Sequence, residues 1–250
     1  MESNKSEDKI YGFNPVLEAL AAGREIDKIL IKDGIKHSKA SKITAMAKEK
    51  KIPFQFVQQS KLDSAADGGN HQGVVAYAAA AHYATVDEIL EYAKAKGEPP
   101  FIVILDCLTD PHNLGSIIRT ANAAGAHGVI IPKNRSVGLN STVYKVSAGA
   151  VEYTRVAKVT NLSRTVEDLK KEGIWVFGTD LKATAFHYES DLKGALAVVI
   201  GSEGEGISKN LKEKCDFLVK IPMLGEAESL NASVAAGVLL YEAVRQRTKL

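Results

Sequence analysis

The chain has 250 residues, of which 45% are hydrophobic, 25% charged and only 6% aromatic, enough apolar material for a full globular core. Its formal net charge is +2, from 32 basic and 30 acidic residues, which argues against a tail-driven, histone-like binder of nucleic acid. No apolar run approaches the roughly 18 residues of a membrane span. The start MESNKSEDKI lacks the apolar centre of a signal peptide, so a cytoplasmic protein is expected. Cys107 and Cys215 form no CxxC pair or Cys/His cluster. They read as buried thiols rather than as a disulfide or a metal site.

In chain order, residues 1–9 read as a polar, disordered start. Asn14-Pro15 opens a short helix that Gly23 closes. Residues 26–32 alternate as a strand, and Ser38 caps a helix running to about Lys50. Residues 54–57 and 74–78 are strands, with the turn GGNHQG (68–73) before the second. Residues 1–78 therefore form a small α/β domain. Residues 79–100 read as a linker carrying one helix, opened by a Thr85/Glu88 capping box and ending near Gly97. From Phe101 to the end the α/β rhythm is stronger. Strands at 101–106, 128–132, 174–180, 195–201 and 217–222 are continuous, mainly apolar runs, the mark of a parallel sheet covered on both faces. Helices are expected near 113–124, 140–147, 161–171 and 229–248.

Charge by region is more informative than the total. Residues 1–61 carry a balance of +4, residues 62–98 of −4 and residues 99–250 of +2. The N-terminal excess includes Lys28, Lys32, Lys36, Lys39, Lys42, Lys48, Lys50 and Lys51. That pattern suits either a phosphate-binding face or a solvated lysine surface.

Three segments follow strand ends, where α/β sheets hold their ligands. In 105–132, Asp110-Pro111-His112-Asn113 precedes a helix whose apolar face includes Leu114, Ile117 and Ile118. Arg119 lies off that face. Asn113 is a helix cap or a site residue, and Arg119 a site residue or a solvated one. In 198–208, Gly201, Gly204 and Gly206 follow a buried strand without forming GxGxxG or a Walker loop. Glu203 and Glu205 would repel phosphate, so a ligand there should be cationic or rich in hydroxyls. In 220–247, Ser229 and Asn231 open a helix carrying Ala232, Ala235, Ala236 and Gly237. These small residues permit close helix packing.

Together the strings NLGSIIRTANAAG, GSEGEGIS and IPMLGEAESLNASVAAG resemble the SpoU (TrmH-type) branch of the SPOUT RNA methyltransferases. YGFNPVLEAL and HQGVVA extend the resemblance to the whole chain. It implies an α/β fold: a small RNA-binding domain like ribosomal protein L30e, then a SPOUT α/β domain with a mostly parallel sheet and a deep trefoil knot. It implies S-adenosylmethionine as cofactor, held by Thr179, Gly201, Ile221, Met223, Ser229 and Leu230. It implies catalytic roles for Asn113, Arg119, Glu203, Ser229 and Asn231. Lys32, Lys36 and Lys39, with Arg119, would meet RNA. A homodimer through the C-terminal domain is implied, with the small-residue helix at its interface and Arg119 supplied across it. The implied reaction is methylation of a ribose 2′-hydroxyl, on a guanosine of 23S rRNA or on tRNA. A non-catalytic RNA-binding protein of the same fold is the reading from another class, and the intact polar set argues against it. A dehydrogenase is disfavoured, since no GxGxxG follows a strand.

Overall fold

The structure, a computed structural model, describes residues 8–21, 24, 26–78 and 83–248. Most of the expected disordered start, the helix stop at Gly23 and residues 79–82 lie outside that range. The chain divides into two compact units.

The first unit builds on β1 (Asp8–Tyr11), α1 (Phe13–Ala21), β2 (Ile26–Lys32), α2 (Ser38–Glu49), β3 (Phe54–Val57), α3 (Gln59–Ala66) and β4 (Val74–Ala78). Asp8 and Lys9 thus belong to a strand, where a disordered tail is expected from their polarity. The sheet order is β1-β4-β2-β3, with β2 and β3 parallel and the other pairs antiparallel. One face packs α1 and α2 through Val16, Leu20, Ile29, Ile31 and Ile43. The other packs α3 through Leu30, Val57, Leu62 and Val75. Central β2 is therefore buried on both faces, and its predicted alternation breaks into the run Ile29–Ile31. His37, not Ser38, caps α2: its Nδ1 accepts from the Lys39 amide at 3.1 Å while its ring stacks on Phe13.

The second unit holds α4 (Val86–Lys96), β5 (Phe101–Leu105), α5 (Pro111–Ala123), β6 (Gly128–Pro132), β7 (Arg155–Val159), α7 (Leu162–Lys171), β8 (Trp175–Thr179), β9 (Ala185–Phe186), β10 (Leu196–Ile200), α8 (Lys209–Lys212), β11 (Phe217–Lys220) and α9 (Ala232–Arg247). Short α6 (Ser141–Val146) lies at the division, since Leu139–Lys145 group with the first unit. The sheet order is β7-β6-β5-β10-β8-β11-β9, and each of these neighbouring pairs is parallel. The expected linker needs correction. Its helix forms, with both hydrogen bonds of the Thr85/Glu88 capping box. However, Ile89 is fully buried in the core with Ile102, Ile130 and Val166, and the Ala84 amide donates to the Val156 carbonyl. A helix whose apolar side is consumed this way is part of the domain.

A second correction concerns α5. It starts at Pro111 and its cap is Asp110, which accepts from the amides of His112 and Asn113. Proline at the first helical position suits this start, because its missing N–H would have had no partner there. Asn113 is thereby released from capping. The small residues of α9 are also placed differently from the dimer-interface expectation. Ala232 and Ala236 are buried inside the unit, and Gly237 faces Thr120 of α5. The outward side of α9 carries Val234 and Tyr241 instead, each 51% exposed.

Candidate active site

Three adjacent strands, β10, β8 and β11, end side by side. Parallel register puts all their C-terminal ends at one edge, where their loops can converge on a ligand. A cleft of about 370 Å³ opens there, within the usual range of small-molecule sites. Thr179, Gly201, Ile221, Met223, Ser229 and Leu230 all line it. The sequence-predicted cofactor set is thus brought together, from three chain segments.

Thr179 ends β8 and ties it to β10 by donating its hydroxyl to the Val199 carbonyl at 3.2 Å. After β10 the chain folds back on itself, with Ser202 and Gly206 exchanging both backbone hydrogen bonds. Gly201 sits under that closure. A Cβ there would lie 2.0 Å from the Gly206 carbonyl carbon and 2.3 Å from the Ile207 nitrogen. Only glycine fits, and the reason is backbone proximity rather than an unusual φ. The apolar wall is made by Ile200, Val219, Ile221, Met223 and Leu230.

The polar rim is a closed network. Asn113, only 6% exposed, donates its amide to Glu203 Oε1 at 2.8 Å. Asn231 donates to the same oxygen at 2.6 Å and to Asn113 Oδ1 at 2.9 Å. Asn231 Oδ1 caps α9 by accepting from the amides of Ser233 and Val234. Three of the five predicted catalytic residues therefore share hydrogen bonds. Ser229, the fourth, lines the same cleft.

Arg119 is not among them. It is exposed on α5, makes no hydrogen bond or ion pair among the described residues, and does not line the cleft. Six residues separate it from Asn113, which at 3.6 residues per turn puts it about 120° around the helix. Within one chain, then, the structure does not bring Arg119 to the other four. Lys32, Lys36 and Lys39 all belong to the first unit. Lys32 and Lys39 are half-buried, Lys36 is exposed, and Lys39 Nζ donates to Asn14 Oδ1.

Sequence reasoning missed the basic side of the cleft. Lys182, Lys212 and Lys220 line it together with Asp180. Lys212 Nζ lies 2.8 Å from Asp180 Oδ2. Burial pushes the Asp180 carboxyl up, but hydrogen bonds from Lys212 and the Lys182 amide outweigh it and hold the group below its ordinary value. The available signal was position: Asp180 and Lys182 directly follow the end of β8. Among the described residues no cluster of His, Cys, Asp and Glu could hold a metal ion, and no helix is long and apolar enough to cross a membrane.

Comparison with known proteins agrees with this geometry. Residues 100–241 match the profile of the SpoU rRNA Methylase family. Residues 9–84 match that of an RNA 2′-O ribose methyltransferase substrate-binding domain. The chain is 50% identical, over 98% of both chains, to Bacillus subtilis (strain 168) YacO, which is named within the TrmH family of tRNA/rRNA methyltransferases. Among solved structures it resembles the SpoU methyltransferase AviRb from Streptomyces viridochromogenes in complex with AdoMet. That match has a TM-score of 0.79 and 28% identity, covering 96% of this chain and 90% of that one. It also resembles the AdoMet-bound rRNA methyltransferase from Sinorhizobium meliloti, with a TM-score of 0.74 and 25% identity over 97% and 88% of the two chains. These matches identify the parallel sheet with its strand-end cleft, and the substrate-binding unit before it, as those of an RNA methyltransferase. The chain belongs to the SpoU methylase family.

Proposed function

We propose that this protein transfers a methyl group from S-adenosylmethionine to a ribose 2′-hydroxyl of RNA, on a guanosine of 23S rRNA, in the cytoplasm. The observation that carries the proposal is the Asn113–Glu203–Asn231 network closing the rim of the glycine-floored cleft.

The residues present fit the cofactor. The Gly201 closure leaves the floor free of side chains. The apolar wall suits an adenine ring. Glu203 and Glu205 at the rim suit a cation and hydroxyl groups. When bound, this cofactor supplies a methyl group on a sulfonium. Thr179, Gly201, Ile221, Met223, Ser229 and Leu230 would hold it. Asn113, Glu203 and Asn231 fix the rim, so that the acceptor oxygen meets the donor in line, and alignment of this kind accounts for a large share of the rate in a displacement. Arg119 offers a guanidinium fork of hydrogen-bond donors and no acceptor. It therefore serves by holding the phosphate next to the ribose or by stabilising the oxyanion as the hydroxyl loses its proton.

Because Arg119 is outside its own cleft, the proposal includes a homodimer in which it enters the partner's. The outward face of α9, with Val234 and Tyr241, supports such a contact. Lys32, Lys36 and Lys39 would engage the RNA backbone from the first unit. The strand order, with β10 inserted between β5 and β8 and β11 beyond β8, supports a trefoil knot in the second unit.

Labelled S-adenosylmethionine incubated with unmodified 23S rRNA or tRNA, followed by mass-spectrometric mapping of 2′-O-methyl groups, tests the proposal. Label on a 23S guanosine is expected. Label on tRNA alone would move the substrate, and no label on either would refute the reaction.

A further inference from the structure

Two strings of the first unit, Tyr11–Asn14 and His71–Gly73, meet at one edge of its sheet. The Gly12 amide donates to the Val74 carbonyl at 3.2 Å, and the Lys32 amide to the Gly73 carbonyl at 2.8 Å. Beside this junction a crevice of about 420 Å³ opens, lined by Lys32, Gln59, Asn70, His71 and Gln72 with backbone of Gly34 and Gly73.

The crevice is braced from below. His71 is 8% exposed. Its Nδ1 accepts from the Gly73 amide at 3.0 Å, so its proton sits on Nε2, which donates to Asp63 Oδ1 at 2.8 Å. Gln59 donates to that same oxygen. The His71 and Gln59 hydrogen bonds hold the Asp63 carboxyl below its ordinary value. The turn is strained as well as braced. Gln72 holds a left-handed backbone at φ +50°, next to Gly73 at φ +101°. A Cβ on Gly73 would lie 2.6 Å from Ile35 Cδ1. Strain of this kind persists where surrounding structure over-determines it, and it concentrates at ligand sites.

What the brace presents is open to a ligand, although the Lys32 charge also acts on Asp63. Among the described residues, the side chains of Lys32, Asn70 and Gln72 make no hydrogen bond or ion pair. Two amides offer paired donors and acceptors, which match the edge of a nucleobase. One ammonium beside them matches a phosphate. Proteins that read RNA sequence do so mainly at unpaired, splayed nucleotides.

We infer that this crevice seats one unpaired nucleotide of the RNA substrate, Asn70 and Gln72 reading its base and Lys32 holding its phosphate. The inference rests on the RNA-methyltransferase reading, and adds a point of sequence recognition in the unit that does not hold the catalytic cleft.

The test uses the full chain and in-vitro-transcribed 23S rRNA, with binding measured on filters across a salt series. Gln72→Gly, which keeps the left-handed backbone, and Asn70→Ala each weaken binding about tenfold with an unchanged salt slope. Lys32→Gln weakens it and lowers the slope by about one. Circular dichroism melts confirm folding, and calorimetric affinity for S-adenosylmethionine stays at the wild-type value in all three. Wild-type RNA affinity in both amide variants, with methyl transfer by the parent protein intact, overturns the nucleotide site and leaves the enzyme reading standing. A changed salt slope in the amide variants overturns base reading in favour of backbone contact alone. A parent protein that binds S-adenosylmethionine but neither binds nor methylates 23S rRNA or tRNA overturns the enzyme reading, and this inference with it.

Discussion

Asn113 and Asn231 are 118 residues apart in sequence and hydrogen-bonded to each other at 2.9 Å. Each also gives an amide proton to one oxygen of Glu203. Asn231 has a second task, since its Oδ1 caps α9. The two tasks separate by substitution. Asn231→Asp keeps the capping oxygen but sets a carboxylate against Glu203. Its melting temperature should stay close to the parent's while methyl transfer falls at least tenfold. Asn231→Ala loses both, with a further stability cost of about 1 kcal/mol. Denaturant melts alongside single-turnover transfer would show the split, and equal activity in the Asp variant would remove the network from catalysis.

Gly201→Ala should weaken S-adenosylmethionine by tenfold or more. The added methyl group has to displace the Gly206–Ile207 backbone, which forms the floor of the cleft. Calorimetry measures this directly, with a thermal melt to confirm that the sheet is intact.

Arg119→Ala should abolish transfer and leave cofactor affinity within about twofold, since Arg119 does not line the cleft. Mixing it with Gly201→Ala, after unfolding and refolding together, should recover activity. A mixed dimer would pair one intact cleft with one intact Arg119. A refolded mixture no more active, at limiting S-adenosylmethionine, than the two variants apart would place Arg119 in its own chain's site.

His127 predicts a pH effect on stability in the second unit. Its Nδ1 accepts from the Phe101 amide at 2.9 Å, so the ring is neutral and donates through Nε2 to Glu98. Burial depresses its pKa below the ordinary 6.5, more than the Glu98 hydrogen bond raises it. The unfolded chain therefore takes up the proton first. Stability is full above about pH 6.5 and falls below it, toward the depressed folded value. Urea melts between pH 5 and 8 should show this slope, and His127→Gln should flatten it.

Much of the fold is legible in the sequence because it is written in continuous apolar runs. FIVIL, GVIIP and LAVVI each became a buried strand. What escaped has physical reasons. Edge strand β7 reads RVAKV, and its cations lie over aromatic rings, Arg155 on Tyr92 and Lys158 on Tyr83. Such a pattern looks solvated until its partners are known. The helix QSKLDSAA offers little beyond Leu62 and two alanines to mark a periodic face. At the cleft, glycines and strand ends pointed to the right segments. The pairing of Asn113 with Asn231 could not be read, because it depends on where two helix starts 118 residues apart come to rest.

The double duty of Asn231 joins two equilibria that are usually separate. Fraying of the first turn of the last helix frees the Asn231 side chain and so breaks its amide bridge to Glu203. Hydrogen exchange at Ser233 and Val234 is thus a gauge of how often the rim of the cleft stands open. A ligand that holds the rim shut would slow that exchange in proportion to its occupancy, with no contact to either amide.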